Sequence, residues 1–161
     1  MTVTNVEKDV EKLTLTITAD FAAPVDRVWQ VWADPRELEQ WWGPPTHPAT
    51  FVEHSLAPEA RSLYFMTSPA GQRFYGWWHI LTVDTPTSLT YEDGFANSDG
   101  TVDESVLPAH RRVTLEAITT GTRMTVATRF ASAEAMERMI AMQIVEGLVG
   151  AIGQIDSIVR P

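Results

Sequence analysis

The carboxylates to weigh as an acid or base in this chain are Glu92 and Asp93, adjacent in a stretch with the two-residue period of a strand. Neighbouring residues of an extended chain face opposite ways, so the two cannot act together on one substrate atom. If Leu89 and Tyr91 face inward, Asp93 does too, near the strand's end, where burial would raise its pKa and suit it to general acid or base work. The plainer reading, an aspartate at a rim hydrogen-bonded to a turn, is preferred. His79 alternates with Trp78 and Ile80 and reads as a surface residue rather than a base. The four histidines, His47, His54, His79 and His110, share no ligand spacing, so no metal site is expected. No phosphate loop, nucleophile elbow or dinucleotide fingerprint is present, so no cofactor and no assigned catalytic residue follow from motifs.

The elements that would position these groups are legible from period and punctuation. Residues 13–18 alternate Leu and Ile with Thr, a half-buried strand. Pro24 then opens a helix with Val25, Val28, Trp29 and Trp32 on one face. Asp34, Pro35 and Glu37 begin a second, very short helix, ended by Gly43, Pro44 and Pro45. Its Trp41 and Trp42 expose more indole surface than two turns can bury, so it must rest on something larger. Strands are expected over residues 49–56, 61–67, 72–83, 89–95, 112–119 and 122–130, with a polar, mobile loop over 97–108. In the strand over 72–83, Trp78 is expected inward with Phe74, Gly76 and Ile80, and Trp77 outward, under the amino-terminal segment or at a dimer contact. From Ser132 the period becomes helical, with Met136, Ile140, Ile144, Leu148, Ile152, Ile155 and Val159 predicting one long helix. Gly147, Gly150 and Gly153 lie inside it, each disfavoured by up to about 1 kcal/mol against alanine, and close packing on the curved sheet is the preferred explanation.

Composition excludes several roles. The chain has 161 residues, enough for one domain, and residues 1–10 read as a flexible amino-terminal segment. Twelve Lys and Arg against 21 Asp and Glu leave a formal charge of -9, which disfavours nucleic acid and anionic membrane surfaces as partners. Cysteine is absent, removing disulfides and thiolate chemistry. The amino terminus lacks an apolar signal core, and no stretch is long enough to span a membrane, so a cytoplasmic location is expected.

Residues 23–35, APVDRVWQVWADP, and 38–44, LEQWWGP, resemble the activator of heat-shock-protein-ninety ATPase homolog-like (AHSA-type) branch of the START/SRPBCC, or Bet v-like, superfamily. The likeness continues through Pro69–Gly71, Gly76–Ile80 and Gly121–Thr122 into the last helix, covering about residues 12–159. Two departures stand out: Pro58-Glu59-Ala60 replaces a frequent glycine pair, and Leu148 a usual tryptophan. The resemblance implies an α+β helix-grip fold: a curved antiparallel sheet of about seven strands, two short helices after the first, and a long carboxy-terminal helix. It also implies a cavity between sheet and helix, in a family whose bacterial members mostly lack an assigned reaction.

With that fold, Phe65, Trp78, Tyr91, Asp93, Met139 and Gln143, closed by Trp42 at the mouth beside Trp41, would line a mostly apolar container. The leading expectation is a noncatalytic or weakly catalytic domain that encloses a small hydrophobic molecule. A polyketide cyclase or hydratase type of enzyme, using a pocket acid or base, is the first alternative. A heat-shock ATPase co-chaperone, as the family name implies, is the second. A homodimer is compatible with the surplus of tryptophan and apolar helix surface.

Overall fold

The computed structural model describes residues 2–160, so the two terminal residues of the domain expected over 1–161 lie outside it. Eight strands form one antiparallel sheet in the order β1-β2-β8-β7-β6-β5-β4-β3. They are β1 (Val3–Asp9), β2 (Thr14–Phe21), β3 (Ala49–Glu53), β4 (Arg61–Thr67), β5 (Arg73–Asp84), β6 (Ser88–Ala96), β7 (Ala109–Ile118) and β8 (Gly121–Arg129). In β2 the alternation holds throughout: Leu15, Ile17, Ala19 and Phe21 are buried, and the intervening residues are not. The eighth strand is β1, which pairs with β2 from Val3 to Asp9 and corrects the expectation of a flexible segment. Most of its side chains are exposed. An edge strand with no buried face shows no apolar alternation, and its sequence therefore reads as polar chain.

Between β2 and β3 run α1 (Val25–Ala33) and α2 (Pro35–Leu38). Pro24 is the N-cap of α1, one position earlier than expected, and Val28, Trp29, Val31 and Trp32 are buried. Trp32 seats the helix on the sheet by directing its indole N–H at the Met124 sulfur of β8, 3.3 Å away. Asp34 caps α2 by accepting from the Arg36 N–H at 2.8 Å. Glu37 does not complete a capping box; it pairs with Arg27 at 2.6 Å. Gly43 ends this region because a Cβ there would lie 2.0 Å from the His47 carbonyl oxygen.

The carboxy-terminal helix is not one helix but three, α3 (Ala133–Ala141), α4 (Ile144–Gly153) and α5 (Ile155–Val159). Ser132 caps α3, accepting from the Ala135 N–H at 3.0 Å. The chain turns by 64° between α3 and the rest, through Gln143 in the left-handed region at φ 60°. The cause is a phase shift in the apolar stripe. Val145, Leu148, Ile152, Ile155 and Val159 are buried, and that spacing run backwards falls on Ala141, Arg138 and Glu134, which are exposed. The stripe of α3 instead centres on Met136, so an unbroken helix could not bury both. The four-residue series Ile140, Ile144, Leu148 hides this shift in the sequence. Gln154 ties the second half to the tryptophan segment, donating to the carbonyls of Trp41 at 3.2 Å and Gly43 at 2.7 Å. Among the described residues, no single helix is long and apolar enough to cross a membrane.

Candidate functional site

A cavity of about 340 Å³ opens between the concave face of β4, β5 and β6, the loop before β7, and helices α3 and α4. Its wall is largely apolar, including Met66, Phe74, Phe130, Met139, Ile144 and Leu148. Polarity is concentrated at the floor, where Tyr64, Asp93 and Arg111 meet beside Trp42.

Strand register builds that floor. Tyr91 pairs with Arg111, and Asp93, two residues further along β6 on the same face, lies diagonally across from it. The Arg111 Nη1 donates to Asp93 Oδ2 at 2.5 Å, and its Nε donates to Thr128 Oγ1 of β8 at 3.2 Å. Tyr64 donates its hydroxyl to the other carboxylate oxygen, Asp93 Oδ1, at 3.2 Å. The guanidinium lies over the Trp42 ring, 5.4 Å from its centroid. Side-chain exposure is 7% for Arg111 and 12% for Asp93, so both charges are withdrawn from water.

Burial pushes the Asp93 carboxyl up from its ordinary range, with the Arg111 charge and the Tyr64 hydroxyl pulling the other way. Desolvation also works against the Arg111 charge, but the Asp93 carboxylate outweighs it with help from Tyr91 and Tyr64, and the net direction is upward. Burial likewise raises Tyr64 well above the ordinary phenol value. The group at the floor is thus an ion pair in a dry place, held by two hydroxyl-bearing neighbours.

The expected lining residues divide into three sets. Trp42, Asp93, Met139 and Gln143 line the cavity. Trp78 and Tyr91 do not; they form the fully buried layer beneath, stacked with ring centroids 4.3 Å apart. Trp42 packs edge-on above Trp78 at 4.8 Å and separates that layer from the cavity. Phe65 is on the opposite face of the sheet, covered by Arg73 at 4.3 Å and flanked by Tyr75. In β4 the inward positions are Ser62 and Tyr64, one residue out of step with the expectation. Trp41 is also not at the mouth: it is fully buried and donates its indole N–H to the Val31 carbonyl at 2.9 Å. Trp77 packs on Gly94, where a Cβ would meet its indole at 2.8 Å, and not under the amino-terminal segment.

Two residues of the cavity floor are not visible as such in the sequence. Arg111 shares the inward register of Val113 and Leu115, and a charge in that register marks a functional or paired group. Starting the strand at residue 112 concealed it. Tyr64 pairs with Gly76, where a Cβ would stand 2.4 Å from the phenol ring, so that glycine makes room for the tyrosine. The helix glycines call for a correction as well. A Cβ on Gly147 or Gly153 meets nothing within 4 Å, and one on Gly150 only Pro45 at 3.8 Å, so close packing does not explain them. Gly147 instead lines the cavity and leaves it wider.

A curved antiparallel sheet gripping carboxy-terminal helices around a cavity defines the helix-grip class. The chain belongs to the family described as activator of Hsp90 ATPase homolog 1-like protein, which matches residues 22–160. Protein Ms6760 from Mycobacterium smegmatis, a crystal structure, shares 47% identity at a TM-score of 0.90, covering 97% of this chain and 96% of that one. A protein from Arthrobacter aurescens, solved in solution, shares 44% at 0.94, covering 98% and 92%. The crystal structure of the AHSA1 protein from Silicibacter pomeroyi shares the fold at 19% identity and a TM-score of 0.73, covering 89% and 95%. No curated protein matches the chain.

Proposed function

We propose that this protein is a binding domain that encloses a small, largely apolar molecule between the sheet and α3–α4. The observation that carries the reading is the cavity of about 340 Å³, whose largely apolar wall carries the Tyr64, Asp93 and Arg111 cluster at its floor, with His47 and Gln143 as further polar lining. Small-molecule sites have this composition, with volumes of roughly 300–1,000 Å³ and a few placed polar groups. Met139 and Met142 on the helical side supply a wall that adapts to shape. A thermal-shift and native mass spectrometry screen with lipids and aromatic metabolites tests it. A ligand at a hundred times its Kd adds about 2.7 kcal/mol to stability, a readily measured rise in Tm. A screen in which no compound raises Tm and no mass is retained refutes the reading.

A second reading has an observation in its favour. Asp93 is buried inside the cavity with Tyr64 and Arg111 as partners, the arrangement an acid or base acting on an enolisable substrate of the cyclase or hydratase kind needs. Tyr64 and Arg111 each hold one carboxylate oxygen, which fixes the orientation of Asp93 and leaves further lone pairs for a proton. Asp93→Asn that left turnover of an identified substrate unchanged would remove it from such a mechanism.

A further inference from the structure

The donors at the cavity floor are committed to partners within the wall, and the carboxylate there is not saturated. Arg111 directs its N–H groups at Asp93 and Thr128 and lies against the Tyr91 hydroxyl beneath. The buried Trp42 indole N–H lies against the Tyr64 hydroxyl, which itself donates to Asp93. Asp93 brings the one carboxylate among the described residues that line the cavity. Its two oxygens offer about four lone-pair positions, of which Tyr64 takes one on Oδ1 and Arg111 one on Oδ2. Acceptor capacity is left over, on a side chain that keeps 12% of its surface open in the cavity wall.

A wholly apolar molecule that fills the cavity takes water from those lone pairs and leaves them unsatisfied, a penalty larger for a charged group than for a neutral one. A donor on the molecule removes it. The charge of that donor follows from the ion pair: Arg111 already offsets Asp93, so a cation would stand beside a buried guanidinium and an anion beside the carboxylate itself. A neutral donor meets neither repulsion. His47, its ring 6.0 Å from that of the exposed Phe74, and Gln143, exposed at the bend before α4, line the cavity nearer water and make no such demand. We propose, resting on the binding reading above, that the molecule held here is an apolar body bearing a neutral hydrogen-bond donor, a hydroxyl or an N–H, and that the Asp93 carboxylate accepts from it.

Four probes with one naphthalene body, carrying at the same ring position a hydroxymethyl, a methoxy, an ethyl or an aminomethyl group, separate the possibilities at nearly constant size. Each is titrated into the full chain while the Asp93 side-chain carboxyl resonance is followed by carbon NMR. The hydroxymethyl compound is expected to bind at least about tenfold tighter than the other three, the gain of one hydrogen bond to a charged group, and to move that resonance furthest. In Asp93→Leu/Arg111→Met, which replaces the pair by apolar side chains, the hydroxymethyl and ethyl compounds should bind equally, and a preference that survives there overturns Asp93 as the acceptor. Should that variant fail to fold, the resonance decides: a shift no larger with the hydroxymethyl than with the ethyl compound overturns the contact. Equal affinity of these two for the native protein, or tightest binding of the methoxy compound, overturns donor recognition while the container stands. Tightest binding of the aminomethyl compound overturns neutrality, and no binding by any probe overturns both readings.

Discussion

Removing Arg111 takes away the charge that offsets the desolvation of Asp93, where water reaches it poorly, so the two residues stand or fall together. Arg111→Met alone is expected to lower stability by about 3–5 kcal/mol, the usual effect of stranding a buried partner. Adding Asp93→Asn to it should restore much of that loss, because replacing both members of a buried pair by neutral groups is often close to neutral. Chemical denaturation of the single and double variants checks this, and a double variant less stable than Arg111→Met would show that the pair is not coupled as drawn. The same residues show where sequence reading stops. Asp93 was weighed as an inward carboxylate because its alternation with Leu89 and Tyr91 is visible. Its ion pair was not, since Arg111 is 18 positions away and only the β6–β7 register brings them together.

At the scale of elements, the broken carboxy-terminal helix decides the cavity. Its 64° turn sets α3 at an angle to α4, and residues of both helices line the cavity. Gly153→Ala should stabilise the protein by about 0.5–1 kcal/mol, since glycine is disfavoured in a helix and the new methyl meets nothing within 4 Å. Gly147→Leu is the contrasting variant. It places a side chain in open cavity space, so the fold should persist while the Tm rise given by any ligand found in the screen shrinks. A full-sized rise in Gly147→Leu would mean that the ligand sits elsewhere. Helix existence was legible here and helix continuity was not. Ile140 and Ile144 carry the 3.6-residue rhythm across the bend, although their burial is only partial.

For the whole molecule, the acid side of the stability profile is set in part by His54. It is held between the Trp32 carbonyl and the Ser62 hydroxyl, each 2.7 Å away, and burial lowers its pKa from the ordinary 6.5 while the bond to Trp32 opposes the shift. A histidine held neutral in the fold binds fewer protons than it does in the unfolded chain. Its contribution is therefore present above pH 6.5 and is lost as pH falls from there through the lowered folded value. Denaturant midpoints measured across that window should fall on acidification. The slope should be shallower in His54→Gln, and an unchanged slope would assign the acid sensitivity to other groups, such as His110, which burial also lowers.

Much of this molecule was determined by its sequence alone. The period-two runs, the capped pair of short helices and the final helical rhythm specify an antiparallel sheet gripping a carboxy-terminal helical segment, because periodicity and punctuation are local properties of the chain. Tertiary structure decided the rest. Which of Tyr64 and Phe65 faces inward depends on a one-residue register choice between two aromatic neighbours, and pairing with Gly76 makes it. Whether the residues of β1 form a strand depends on the exposed edge of β2 that they cover. The polar floor exists only because strands β6, β7 and β8 set Asp93, Arg111 and Thr128 side by side, a juxtaposition that no spacing in the sequence contains.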